Sequence, residues 1–516
     1  MKLLRSTLTF SSITFLSRIA GYARDMITAG LFGATREMDA FLVAYRIPNF
    51  LRRIFAEGSF QQAFVPVFTE LKQKGDERAL RDLLDHVAGA LAAAVLVVTA
   101  IGMLAAPFLT GLFAPGTLAE PEKFALTSEM LRITFPYLAF ISLTALAAGV
   151  LNSYGRFALP AVTPVLHNLA VIAAALWLAP VLEVPVKALA WGVFAAGVIQ
   201  LVVQWAALAR LGLLPRPRLD FAHSGVRWVF RLMVPTILGS SAAQINLLFA
   251  TLYASLLATG SQTWLYLTDR LIEFPQGMIG VALATVILPH LSGKHAAADS
   301  AGYSATLDWG LRMALLVALP ATLGLAAMAE PITATLYQYG KFSDYDTHMA
   351  GLSLSAFAFG LPGFMLAKVL TPAFYARYDT RTPMRAAMIT VLANVILMSL
   401  VVLPLWRYQV EGGHAGIALC TALAGTLNAW LLWRALRKQG LFQPQPGWAA
   451  YVLRIVLACA AMVAVLLLAR WYVGPWQPLA PSWRLVHLVW AIPAAIATYA
   501  AALYAGGLRY RHLREH

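Results

Sequence analysis

Arginines recur in this chain inside stretches of membrane length that are otherwise apolar. SITFLSRIAGYARDMITAGLFGA carries Arg18, Arg24 and Asp25, and DAFLVAYRIPNFLRRIFAEGSFQQAFVPVF carries Asp39, Arg46, Arg52, Arg53 and Glu57. A charge at the centre of a membrane helix costs about 2.5–3.5 kcal/mol on the insertion scale. Charges persist there when they face water, a partner or a substrate. A guanidinium is a rigid fork of donors that grips phosphate or carboxylate oxygens bidentately. The segment therefore has the chemistry of an anion site, set in the wall of a polar, mostly cationic cavity.

Arg18 and Asp25 share a helix face, which lets them pair. Arg24 lies about 120° around a straight helix from Arg18, so both reach one cavity only if it is wide or the helix bends near Gly21. Asp39, Arg46 and Arg53 recur at the same heptad spacing, but Pro48 resets the register, and spacing leaves Arg52 and Arg53 as alternatives. Further on, TWLYLTDRLIEFPQG places Asp269, Arg270 and Glu273 in one apolar segment. Arg46 or Arg53, and Lys368 and Arg312, read as snorkelling side chains near an interface. Arg18, Arg24, Arg52 and Arg270 together cost on the order of 10 kcal/mol to insert. Against few acids, that charge makes sense if an anion enters. Asp39, Glu57 and Glu273 are suited to hold the arginines apart from substrate in the empty state, or to exchange protons.

The elements that must position these residues are membrane helices. Of 516 residues, 60% are hydrophobic and only 12% charged, against roughly a quarter charged in soluble domains. Apolar runs predict an all-α polytopic protein of fourteen spans, at about 8–32, 38–68, 84–113, 124–152, 158–181, 186–210, 226–258, 264–292, 305–329, 346–376, 384–405, 412–434, 447–471 and 484–508. The net charge of +15 comes mostly from short loops, which is positive-inside topology and not nucleic-acid binding. Basic residues fill alternate connections, among them Lys72, Lys74, Arg78 and Arg81, then Arg210, Arg216 and Arg218, then Arg377, Arg381 and Arg385. That asymmetry places both termini in the cytoplasm. No cleavable signal is read at the N-terminus.

An internal repeat is present. APFLTGLFAPG matches EPITATLYQYG, with Pro107 and Gly116 on Pro331 and Gly340, 331 − 107 = 224 and 340 − 116 = 224. Pro66 maps to Pro289 and Pro160 to Pro383, 289 − 66 = 223 and 383 − 160 = 223. The unit is six spans, an even number, so the halves run parallel about an axis along the membrane normal. The expected organisation is a six-helix lobe over 1–220, a second over 221–440, and two additional helices over 441–516. The second and eighth spans are then equivalent, and their arginines are expected to face each other across the lobe interface. Pro48, Pro136, Pro235, Pro275, Pro320 and Pro362 at membrane depth suit lobes that bend during alternating access.

No catalytic set or P-loop is found, so ATP does not drive the process through this chain. Cys420 and Cys459 lie in apolar segments and imply neither disulfide nor metal. The ten histidines show no metal spacing, and His86, His167, His223 and His290, near helix ends, read as structural or solvated. A drug/cation antiporter would need an acidic cavity. A membrane glycosyltransferase would need a metal-binding acidic motif and an extramembrane domain.

SRIAGYARD, RIPNFLRRIFAEGSFQQAFVP, DRLIEFPQGMIGVALATVILP and QPGWAAYVLR resemble segments of the MviN/MurJ lipid II flippases of bacterial inner membranes. The resemblance covers essentially the whole chain. That family belongs to the multidrug/oligosaccharidyl-lipid/polysaccharide exporter superfamily. The resemblance implies a V-shaped pair of six-helix lobes around a cationic cavity, with the last two helices forming a groove for a polyprenyl tail. It places the family's important arginines on Arg18, Arg24, Arg52 and Arg270, which selects Arg52 over Arg53. Asp25, Asp39, Glu57, Thr263, Asp269 and Glu273 are its secondary cavity or gating positions, Thr263 keeping a hydroxyl where some relatives have serine. The implied partners are lipid II, membrane lipids and cell-wall synthesis proteins. The alternatives within the superfamily are export of another polyprenyl-linked oligosaccharide or a drug/cation antiporter. No cofactor or metal is expected. Coupling is expected to the membrane potential or a monovalent cation, and Ala250 occupies a position where a sodium-binding carboxylate is sought.

Overall fold

A computed structural model describes residues 2–53 and 60–508, with side chains described outside 2–11, 234–243, 278–279 and 281–282. All regular structure among the described residues is helical. The chain is a multi-span helical membrane protein. Ten of its helices or helix pairs are long and apolar enough to cross a bilayer, by length and composition among the described residues.

The first compact unit comprises Met1–Gln262 with Tyr339–Lys341. It contains α1 (Lys2–Phe32), α2 (Arg36–Arg52), α3 (Gln61–Lys74), α4 (Glu77–Leu104), α5 (Ala106–Phe113), α6 (Pro121–Thr134), α7 (Tyr137–Ser153), α8 (Ala158–Ala173), α9 (Lys187–Arg210) and α10 (Ser224–Leu256). Its core is built on α3, where Phe60, Phe64 and Phe68 stack at one-turn spacing, 5.3 Å between successive centroids. Leu80, Leu84 and Val87 of α4, Leu146 and Val150 of α7 and Val226 and Val229 of α10 close around them. Tyr339–Lys341 joins this unit through the Lys341 N–H, which donates to the Gly30 carbonyl at 2.8 Å.

The second unit comprises Thr263–Gln338 and Phe342–His516. It holds most of α11 (Ser261–Pro275), then α12 (Val281–Ala296), α13 (Ser300–Ala327), α14 (Ala329–Tyr337), α15 (Asp344–Ala358), α16 (Leu361–Tyr375), α17 (Arg381–Arg407), α18 (His414–Lys438), α19 (Trp448–Val473) and α20 (Pro481–Ala505). In lipid, helices associate by close packing and not by apolar burial alone. Gly363 of α16 shows this, because a Cβ there would meet the α18 backbone at Gly425 and Thr426. The final pair, α19 and α20, packs on α13 and α14.

Proline sets the interruptions. Pro136 lies between α6 and α7, Pro362 opens α16 after a break at Phe359–Gly360, and Pro275 ends α11 where a π-helical turn, Gln276–Gly280, begins. Pro48, Pro66 and Pro320 sit inside continuous helices.

The repeat reappears in the backbone. Gly75 has φ 74° and Ala298 has φ 55°, and each precedes an aspartate N-cap, Asp76 and Asp299, with 298 − 75 = 223. Both caps sit at nearly the same angles, −86°/85° and −84°/82°. Gly155 and Tyr378 form a second left-handed pair, φ 72° and 60°, with 378 − 155 = 223. Two chain reversals thus share one geometry in both halves, although glycine is kept only in the first.

Candidate functional site

On α1 the two cationic positions have different environments. Arg24 is 6% exposed and Asp25 1%. Arg24 donates from Nε and Nη2 to Asp25 Oδ1 at 3.0 and 2.6 Å, and from Nη1 to Asn168 Oδ1 of α8 at 3.1 Å. Asn168 in turn donates to the Ser17 carbonyl at 3.2 Å. Arg18, on the same helix, is exposed and takes no part in this group. The pairing of Arg18 with Asp25 allowed by the heptad spacing is replaced by that of neighbouring Arg24. Asn168 makes this possible by fixing the guanidinium plane from across the packed helices.

On α2 the heptad pair Asp39 and Arg46 is buried at 2% and 6% exposure. Asp39 Oδ2 accepts the N–H of Gly260 at 2.7 Å. Gly260 has φ 97°, in the turn that ends α10 and starts α11. Two helical turns on, Arg46 Nη1 donates to Thr251 Oγ1 at 3.1 Å and Gln262 Oε1 at 2.6 Å. Gln262 closes the group by donating to the Thr251 carbonyl at 2.7 Å. One face of α2 therefore clasps both sides of the α10–α11 turn. Arg46 is not a snorkelling side chain. It is buried and donates to neutral oxygens, because Thr251 and Gln262 replace the water a snorkelling head would seek. The only sequence signal for this was its heptad spacing from Asp39. Arg52, half-buried at the end of α2, donates from Nε to Asn49 Oδ1 at 2.7 Å. Glu57 lies outside the described residues.

In the second unit Arg270 donates from Nη1 to Glu273 Oε2 at 2.9 Å, and both side chains keep partial exposure, 34% and 46%. Asp269 is half-buried beside them, and Thr263 is fully buried in the first turn of α11. Lys368 of α16 lies against Gly280 with Glu273 in electrostatic reach. Arg312 reaches the carbonyls of Gln445 and Pro446, pairs with buried Asp308 at 2.7 Å, and stacks over Trp448. It anchors the entry to α19.

Two of the arginines singled out from the sequence, Arg24 and Arg270, thus rest on carboxylates one to three residues away. Such a guanidinium is held in place by charge-assisted hydrogen bonds. A sequence profile described as lipid II flippase MurJ matches residues 28–486. A relative in Vibrio cholerae, described as a probable lipid II flippase MurJ, is 42% identical over 99% of this chain and 98% of its own. One in Burkholderia cenocepacia, described as lipid II flippase MurJ, is 41% identical over 100% and 99%.

The chain belongs to the lipid II flippase MurJ family.

A solved MurJ structure in an inward closed conformation agrees with it at TM-score 0.79 and 25% identity, covering 97% of this chain and 100% of that one. An inward-facing multidrug-resistance MATE transporter of the MOP superfamily gives a TM-score of 0.69 at 13% identity over 84% and 98%. That second likeness concerns the fold alone. In this MurJ family member Asn168 has no signal in the sequence, and Arg46 shows only its heptad spacing from Asp39. Their hydrogen-bond partners lie 144 and 205–216 residues away in the chain, so no local spacing marks those pairings.

Proposed function

We propose that this chain carries lipid II, the undecaprenyl-pyrophosphate-linked disaccharide–pentapeptide, from the cytoplasmic to the periplasmic leaflet of the bacterial inner membrane. Both termini lie in the cytoplasm, and fourteen spans form two six-helix lobes, 1–220 and 221–440, with 441–516 added. Arg18, Arg24, Arg52 and Arg270 bind the pyrophosphate, and alternating access delivers it outward while the polyprenyl tail stays in lipid along α19 and α20. The observation that carries this reading is the buried Arg24–Asp25–Asn168 group. It keeps a guanidinium oriented inside the membrane on a carboxylate that a pyrophosphate oxygen can replace. Asp25 and Glu273 hold Arg24 and Arg270 in the unloaded state.

The membrane potential assists. Moving two negative charges outward down an inside-negative potential gains about 4.6 kcal/mol per 100 mV. A monovalent counter-ion would reduce the charge moved. The reading is tested by complementation in a strain depleted of its own flippase. Arg18→Ala and Arg270→Ala are expected to abolish growth with protein levels intact. Full growth support by both variants would overturn the assignment of these arginines.

A further inference from the structure

Away from the arginines, the first unit gathers Asp82, His86 and His223, with one potential ligand atom of each within 4.8 Å of the others. Asp82 and His86 are one turn apart on α4, and His223 stands just before α10. His223 Nε2 lies 3.0 Å from Asp82 Oδ2, and His86 Nδ1 lies 3.3 Å from Asp82 Oδ1 and 2.8 Å from the Asp82 carbonyl. Two ligands bound at about 2.1 Å to one tetrahedral ion stand about 3.4 Å apart. The His223 Nε2–Asp82 Oδ2 separation is near that edge, whereas His86 gives up its Nδ1 hydrogen bond to the Asp82 carbonyl when it takes an ion. The two imidazole rings stack in parallel, with centroids 4.4 Å apart. The other nitrogen of His223, Nδ1, is buried and without a hydrogen-bond partner, so the ring's polar contacts all lie on the edge facing Asp82.

The position of His223 is imposed by the backbone that precedes it. The Arg216 N–H donates to Asp85 Oδ1 at 2.7 Å, and the Arg218 N–H to the Asp85 carbonyl at 3.0 Å. Gly89 allows this approach, because a Cβ there would run into the Arg218 carbonyl. The connection is thus docked on α4 before any ion arrives, and a preorganised ligand set binds more tightly than a loose one. Arg218 Nη1 lies 3.7 Å from Asp82 Oδ1, and its side chain is 61% exposed and able to turn away.

We propose that Asp82, His86 and His223 form a binding site for a divalent transition cation of the zinc type. Two imidazoles and one carboxylate with the remaining positions left to water is a ligand set that Zn²⁺ and Co²⁺ accept. Binding tilts the two rings out of their parallel stack, since each lone pair lies in its ring plane. The ion then clamps the 211–223 connection, and with it the start of α10, to α4.

The test uses the full chain without a histidine tag, in detergent, titrated with Co²⁺ alone and then with competing Zn²⁺. One saturable equivalent with visible tetrahedral absorption bands is expected. Its affinity should fall at least tenfold in His86→Ala and in His223→Gln. The glutamine variant keeps a donor for Asp82, so the docked connection survives without the ligand. His290→Ala/His295→Ala is the control and should leave the isotherm unchanged. No saturable equivalent in the unaltered chain, or the same isotherm in His223→Gln, would overturn the site.

Discussion

Asp39 Oδ2 accepts the backbone N–H of Gly260 at 2.7 Å, so a carboxylate on α2 holds the turn between α10 and α11. Both groups are buried in the first unit, and a hydrogen bond to a charged acceptor there contributes about 1.5–3 kcal/mol. Asp39→Ala should lose that stabilisation and lower the thermal unfolding midpoint in detergent. Asp39→Asn keeps an acceptor oxygen and should retain most of it. If asparagine were as damaging to stability as alanine, the charge and not the tether would be the essential property.

Arg46 acts on the same turn from the next heptad position. Arg46→Ala strands Thr251 and Gln262 without their shared donor, at a cost of about 1–3 kcal/mol. Arg53→Ala should cost much less. Comparing the two midpoints checks whether Arg46 is an internal clasp. Equal, small shifts would return it to the class of interfacial side chains.

Arg24 needs its planar fork. Lysine carries the charge but cannot serve Asp25 and Asn168 together. Arg24→Lys is therefore expected to fail complementation at normal protein level. Asn168→Ala should weaken transport through Arg24 while leaving the Arg24–Asp25 pair in place. A functional Arg24→Lys would show that charge alone suffices.

The two N-caps of the repeat give opposite backbone predictions. Gly75 has open space around it, so Gly75→Ala adds only the left-handed cost, roughly 1–2 kcal/mol. Ala298 already bears that cost at the equivalent position, and Ala298→Gly should relieve part of it. Thermal midpoints moving in opposite directions would confirm the shared geometry.

Asp299 adds a pH dependence. The Gly302 N–H, then Lys294, hold its carboxyl below the ordinary value of 3.8, against a small opposing effect of burial. A depressed carboxylate stabilises the fold fully above its unfolded value, and that contribution fades as pH falls through the lower folded one. The unaltered chain should therefore lose more stability on acidification below about pH 4 than Asp299→Asn does. Identical acid profiles would contradict the cap.

The arginines were legible because a charge in an apolar run has a known cost, and the repeat because proline and glycine punctuate helix ends. The backbone match at Gly75 and Ala298 was not legible, since alanine gives no sign of a left-handed conformation. Heptad spacing identified Asp39 and Arg46 as sharing a face. It could not show that Gly260 and Gln262 await them, because tertiary partners leave no local pattern. The same limit hid Asp82, His86 and His223: the first two lie one helix turn apart, and the third comes from a connection 137 residues further on.

The most direct test of lipid II transport is the leaflet distribution of lipid II in cells depleted of their own flippase and supplied with this chain. Externally accessible lipid II should return with the unaltered protein and stay absent with Arg24→Ala or Arg270→Ala expressed at the same level. Lipid II that remains on the cytoplasmic side with the unaltered chain, or becomes accessible with both variants, would contradict arginine-dependent transport.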